Sequence, residues 1–196
     1  MDENEKELVA HHEAGHALLA KLLPGADPVQ KVTIIPRGRA LGVTEQTPEE
    51  DRHNFKHSYL LDRITIMMGG RAAEQLVFGD LTNGAANDVK QATMLVRKMV
   101  AQWGMSEKIG PVSYSIGEEH PFLGRELASP KDFSDVTARL IDEEVQQIIT
   151  NMEAKAIELL KTHREQLNTL AEALLEHETI SKDGLERLLA EGGDTS

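Results

Sequence analysis

The amino-acid sequence predicts a mainly α-helical fold with a small β-sheet insert and a C-terminal helical bundle. Apolar residues recur at spacings of three and four through most of the 196 residues, the period of a helix with one buried face. β-Branched residues with partial alternation stand in a short region between Val29 and Gln46, enough for two strands. After Ser134 the pattern becomes one long apolar stripe followed by two shorter helical runs, with no internal repeat.

The first helical run extends from about Glu3 to Leu23 and is stopped by Pro24-Gly25, because proline lacks the N–H a helix needs and glycine favours a turn. "VQKVTIIP" and "ALGVTEQ" read as strands joined by a turn at Arg37-Gly38-Arg39. The runs 51–68 and 70–78 carry helical spacing, interrupted at Gly69-Gly70. "NGAANDVKQATMLVRKMVAQWG" is a further helix, with Asn87 or Asp88 near its start and Gly104 near its end. Residues 105–132 hold repeated Gly and Pro signals and read as loop. Val136, Leu140, Ile141, Val145, Ile148, Ile149, Met152, Ala156, Leu159 and Leu160 then form the long stripe. Helices near 163–177 and 181–190 precede an acidic tail, "EGGDTS", expected to fray.

Composition excludes several functions. A net charge of −12 and a pI near 5.1 disfavour nucleic acid as a partner and direct contact with an anionic membrane, because the phosphate field repels such a surface. The chain has no cysteine, so any metal must be held by histidines and carboxylates. No stretch approaches the roughly 18 apolar residues of a membrane-spanning helix, and the acidic N-terminus is no signal peptide. The chain as given reads as soluble.

Chemistry concentrates in "AHHEAGHALLAKLL", residues 10–23. On a helix, positions i and i+4 share a face about 5–6 Å apart, so the imidazoles of His12 and His16 can converge on one zinc ion. His11, turned about 100° away, cannot. Glu13 flanks the same face, where its carboxylate reaches a water on the metal rather than the metal itself. That is the physical content of the H-E-x-x-H pattern. The competing reading is an ordinary buried helix, rich in alanine and leucine, that happens to carry histidines. Against it, two imidazoles and a carboxylate on one buried turn need partners or cost free energy. In "HNFKH", His53 and His57 repeat the spacing without an adjacent acid and read as a solvated helix face.

Catalytic zinc takes three protein ligands. The position six residues beyond His16 is Leu22, so the extended three-histidine pattern fails and the third ligand is a distant His or carboxylate. Spacing leaves Glu45, Glu74, Asp80 and Asp88 as candidates. Asp88 has a rival explanation as a first-turn acid favoured by the helix dipole, and Glu74 as a plain helix-surface acid.

The segments "HHEAGHALLAKLL", "KVTIIPRGRALGVT", "MMGGRAAEQLVFG", "NGAANDVKQATMLVRKMVAQWGMSEKIGPVSY", "FLGRELA", "IDEEV" and "HREQLNTLAEALLEHETI", in this order, resemble the peptidase domain of FtsH-type ATP-dependent zinc metalloproteases. The resemblance covers nearly the whole chain. It implies a single peptidase domain over 1–196, with a catalytic part over about 1–128 and a helical part over about 129–196, that assembles as a homo-hexamer and cleaves unfolded or translocated polypeptides. It assigns zinc to His12, His16 and Asp88 and the catalytic base to Glu13. Glu74 becomes a candidate for orienting an imidazole from outside the ligand set. The stretch Leu41, Gly42, Val43 and Thr44 resembles the family's substrate-flanking edge strand, to which an extended polypeptide can add by main-chain hydrogen bonds.

Two departures stand beside the ligands: Leu81 to Asp88 replace the commoner "TTGASND", and His11 stands where Tyr is frequent. FtsH-type proteins also carry membrane helices and an AAA+ ATPase module ahead of the peptidase, and this sequence has no G-x-x-x-x-G-K-[ST] phosphate loop. The chain therefore reads as the peptidase part of a longer protein, placed on the cytoplasmic side of a bacterial inner membrane, with a stand-alone relative as the alternative. The alternatives from other classes are a catalytically dead metal-binding assembly module and a metal-free helical scaffold. The intact Glu13 argues against the first.

Overall fold

The computed structural model describes residues 1–48, 53–116 and 131–191. The sequence segment "FLGRELA", the middle of the expected loop and the end of the acidic tail lie outside the described residues. The fold is mainly helical with one small sheet, as the sequence predicts, and the sheet has three strands rather than the two expected. The chain divides into two compact units, one of Met1–Val89 with Met152–Ser196 and one of Lys90–Asn151.

In the first unit, α1 (Glu3–Leu22) opens at Asp2, whose carboxylate accepts from the Glu5 N–H at 2.8 Å. Every residue from Val9 to Ala20 except partly buried His12 is buried, so the helix forms the centre of the core rather than an amphipathic surface helix. Ala10, Ala14, Ala17 and Leu18 meet Leu160, Leu167, Leu170 and Leu174 in one apolar cluster. The last four belong to α5 (Asp135–Thr162) and α6 (Arg164–His177). Small residues along α1 let its neighbours approach closely.

Strand β1 (Val29–Thr33) pairs antiparallel with β2 (Val43–Gln46), Val32 opposite Thr44 and Thr33 opposite Val43. Between them Gly38 adopts a left-handed φ of 62° beside the Arg37–Ala40 bridge, the expected turn. A third strand, β3 (Thr179–Ser181), pairs with the other side of β1 and leaves β2 at an edge. The sequence reading missed β3. It follows α6 directly, and Ser181 then accepts from the Gly184 N–H at 3.2 Å to start α7 (Lys182–Glu191).

The expected run 51–68 becomes α2 (His57–Met67). Phe55 stacks on Tyr59 at 5.3 Å ahead of the first turn. His53 and His57 are both exposed, as expected, but they share no helix because His53 precedes it. α3 (Gly69–Phe78) follows after Met68 and is closed by Gly79 in the left-handed conformation, φ 68°. A single 3₁₀ turn, Asn83–Ala85, leads into α4 (Ala86–Ala101).

In the second unit, Val96, Met99 and Val100 of α4 and Ile141 and Val145 of α5 are buried. Ser106 donates to Glu144 at 3.2 Å. The start of the long stripe is not buried: Val136 is 72% exposed and Leu140 45%. No helix among the described residues is long and apolar enough to cross a membrane.

Candidate metal centre

The site is built where α1 crosses α3. A Cβ on Gly15 would stand 2.4 Å from the Gly69 carbonyl oxygen and 2.8 Å from the Ala73 Cβ, so only glycine permits this crossing. Across it, the Ile66 carbonyl accepts from His16 Nδ1 at 2.7 Å. That oxygen also takes the Met68 N–H at the end of α2, and a carbonyl has a second lone pair for the imidazole. A Cβ on Gly70 would lie 2.4 Å from His12 Nε2; the bare backbone lets the ring lie flat against the start of α3.

Glu74, 1% exposed, projects from α3. One of its oxygens accepts from His12 Nδ1 at 2.6 Å, and the other from the Thr82 N–H at 3.1 Å and the Thr82 hydroxyl at 2.9 Å. Thr82 also caps the 3₁₀ turn by accepting from the Gly84 N–H at 3.1 Å. Burial would raise the Glu74 pKa, but the bonds from His12 and Thr82 outweigh it and hold the carboxyl below its ordinary value. The turn capped by Thr82 delivers Asp88, in the first turn of α4, to the histidines.

His12 Nε2 and His16 Nε2 lie 3.1 Å apart, and Asp88 Oδ2 lies 3.2 Å from the first and 3.3 Å from the second. The donor set tests whether a metal fits. A carbonyl oxygen can only accept, so His16 Nδ1 carries the hydrogen and neutral His16 presents its Nε2 lone pair to the site. The same holds for His12 through ionised Glu74. With both rings neutral, two nitrogen lone pairs and a carboxylate oxygen converge with no donor among them. They repel unless a cation joins them. Ligands about 2.0–2.1 Å from a tetrahedral zinc are about 3.3 Å apart, so the triangle has the size that zinc requires.

Without a metal, a proton takes its place. Burial would lower the His12 pKa, but bonds to Asp88 and Glu74, with the charge of Glu13, raise it from 6.5 to about 9. Burial likewise opposes ionisation of Asp88, yet the bonds from His12 and His16 hold it well below the usual carboxylate range. Between pH 7 and about 9 a divalent ion must displace the His12 proton, so its apparent affinity is expected to rise about tenfold per pH unit and then level. Calorimetry in buffers of different ionisation enthalpy reads the proton released, and a pH-independent affinity would contradict this account. The sign for folding is opposite. The raised His12 pKa stabilises the metal-free fold fully below pH 6.5, and that contribution is lost as the pH passes about 9.

Glu13, 6% exposed, stands one residue from His12 and faces β2. Thr44 donates to its Oε2 at 2.7 Å, with the Glu13 carbonyl oxygen at 3.2 Å. Of the expected edge stretch, Val43 and Thr44 belong to β2, whereas Leu41 and Gly42 precede it. Beyond Thr33 the Ile34 N–H continues the β3 side of the ladder by donating to the Glu178 carbonyl at 2.9 Å. The Ile35 N–H donates to the Thr33 hydroxyl at 3.2 Å rather than across to Leu41 and Gly42. Of the carboxylates left open by spacing, Asp88 is grouped with His12 and His16; Glu45 pairs with Lys31 at 3.5 Å on β1, and Asp80 bonds the Leu81 N–H. Sequence reasoning missed Thr82, whose cap signal before Asn83-Gly84 was legible, and the Ile66 carbonyl, which no side-chain pattern marks.

A histidine pair one helical turn apart, an adjacent acid and a carboxylate from a second helix define a metal-dependent peptidase centre. The chain belongs to peptidase family M41, whose family model matches residues 1–188. It is 55% identical over 96% of its length to an ATP-dependent zinc metalloprotease FtsH of Nitrosococcus oceani, covering 29% of that protein. Identity to FtsH of Marinobacter nauticus is 51% over 95% of the chain and 30% of the relative. For FtsH of Thermotoga maritima the values are 47%, 95% and 31%. The chain thus spans about three-tenths of the length of these relatives.

Proposed function

We propose that this chain is the zinc endopeptidase module of a membrane-anchored, ATP-dependent protease and hydrolyses peptide bonds of unfolded or translocated polypeptides. His12, His16 and Asp88 hold the ion, with Glu74 and the Ile66 carbonyl fixing the two rings from behind. Zinc in this position supplies Lewis-acid polarisation of the scissile carbonyl and makes water acidic enough to lose a proton near neutral pH. Glu13 takes that proton and passes it to the departing amine. The substrate lies extended along the free edge of β2, near Leu41, Gly42, Val43 and Thr44, where main-chain bonds hold it without regard to sequence. In the parent protein the peptidase forms one domain, in a ring of six copies joined to AAA+ ATPase modules on the cytoplasmic side of an inner membrane.

The observation that carries this reading is the convergence of His12 Nε2, His16 Nε2 and Asp88 Oδ2 within 3.1–3.3 Å of one another, with Glu13 on the same helix as the histidines. Typical domains are stable by about 5–15 kcal/mol, so a folded substrate seldom offers an extended segment. The zinc-loaded chain is expected to cleave an unfolded protein, to lose this activity to a chelator, to spare a stably folded protein and to ignore ATP. Stimulation by ATP, or equal digestion of both substrates, would overturn the reading.

A further inference from the structure

We propose that Thr44 is a positioning residue: its hydroxyl fixes the Glu13 carboxylate and ties the chemistry of α1 to the edge strand β2. This rests on the reading of Glu13 as the base. A glutamate has three side-chain torsions, and at 6% exposure this one has little water to hold it. Among the described residues, the Thr44 hydroxyl is the group that hydrogen-bonds its carboxylate. A hydroxyl has one proton to give, and the 2.7 Å separation directs it to Oε2 rather than to the Glu13 carbonyl oxygen at 3.2 Å.

Gly42 completes the seat. A Cβ there would stand 2.7 Å from Glu13 Cγ and 2.8 Å from Oε1, and its φ is not in the left-handed region. The glycine therefore serves close approach rather than an unusual backbone. The carboxylate lies against bare backbone on one side and the threonine hydroxyl on the other. Oε2 accepts from Thr44, and Oε1, which accepts from no group among the described residues, is left to take the proton from water. Thr44 lies opposite Val32 in the paired part of β2, so the register that seats the strand also sets the base.

The test compares Thr44→Val, which keeps the β-branched shape, with Thr44→Ser, which keeps the hydroxyl, in the 196-residue chain. Loss of one charge-assisted bond is expected to lower kcat on a short peptide roughly ten- to hundredfold in Thr44→Val. KM and bound zinc stay near wild type, and Thr44→Ser recovers most of the kcat. A crystal structure of Thr44→Val should show the Glu13 carboxylate displaced. In a Glu13→Asp background the shortened acid no longer reaches Thr44, so adding Thr44→Val should cost no further kcat. Unchanged kcat in Thr44→Val, a loss confined to KM, or an equal loss in the Glu13→Asp background overturns the positioning role while leaving Glu13 as the base. Full activity in Glu13→Gln overturns both.

Discussion

Glu13→Gln is expected to keep its metal and to lose peptide hydrolysis by roughly 10²–10⁴-fold, the span of general acid–base catalysis. The substitution nearly preserves shape: the amide oxygen still accepts from Thr44, and the side chain still fits against Gly42. What disappears is the ability to take a proton from water and return it to the leaving amine. Metal retention follows because Glu13 is not among the three converging donors. The negative charge of Glu13 helps hold the proton on His12 but attracts a divalent ion as well, so its removal weakens both and the metal is retained through its three donors. Elemental analysis and kcat on the same preparation check both halves. Retained activity would move the base elsewhere, and lost metal would make Glu13 a ligand.

The parts of this site that were legible in the sequence are those encoded within a few residues. His12, Glu13 and His16 occupy one turn and a half of a helix whose period and cap can be read locally. The strands around Val29 and Val43 are linked by a short turn that Gly38 marks. What was not legible depends on distant contacts. β3 has three residues, and its partners on β1 lie about 150 positions away, as with Ser181 opposite Lys31. Gly69-Gly70 read as an interruption between helices. In the structure the break falls at Met68, and the two glycines open α3, where one admits Gly15 and the other the His12 ring. The start of α2 at His57 depends on the packing of Tyr59 and Leu60, both buried, rather than on spacing, which continues upstream. Asp88 sits 76 positions from His12, and as a first-turn acid it carries no local mark that separates a ligand from a helix-dipole partner. Four carboxylates remained open on spacing for that reason. Which of them meets the histidines is a property of the fold.

Asp88→Asn is therefore the substitution that separates those two roles, and its expected result is loss of the metal with little change in helicity. The asparagine keeps a polar group in the first turn of α4, so the cost to the fold is the lost interaction of a charge with the helix dipole, about 0.3–1 kcal/mol. At the triangle the change is far larger. The neutral amide oxygen replaces the one anionic donor facing His12 and His16, and the affinity for a divalent ion falls by more than the 10–100-fold typical of losing an outer partner. Glu74→Gln supplies that comparison in the same protein. Its amide can still accept from His12 Nδ1, but the charge that draws on this proton at 2.6 Å is gone, so the fall should be the smaller of the two. Zinc titration of both variants, with circular dichroism as the control, decides the matter. Wild-type affinity in Asp88→Asn would reduce Asp88 to a helix-terminal acid. A greater loss in Glu74→Gln would make Glu74 the coordinating carboxylate, with the His12 ring turned to present Nδ1 rather than Nε2 to the ion.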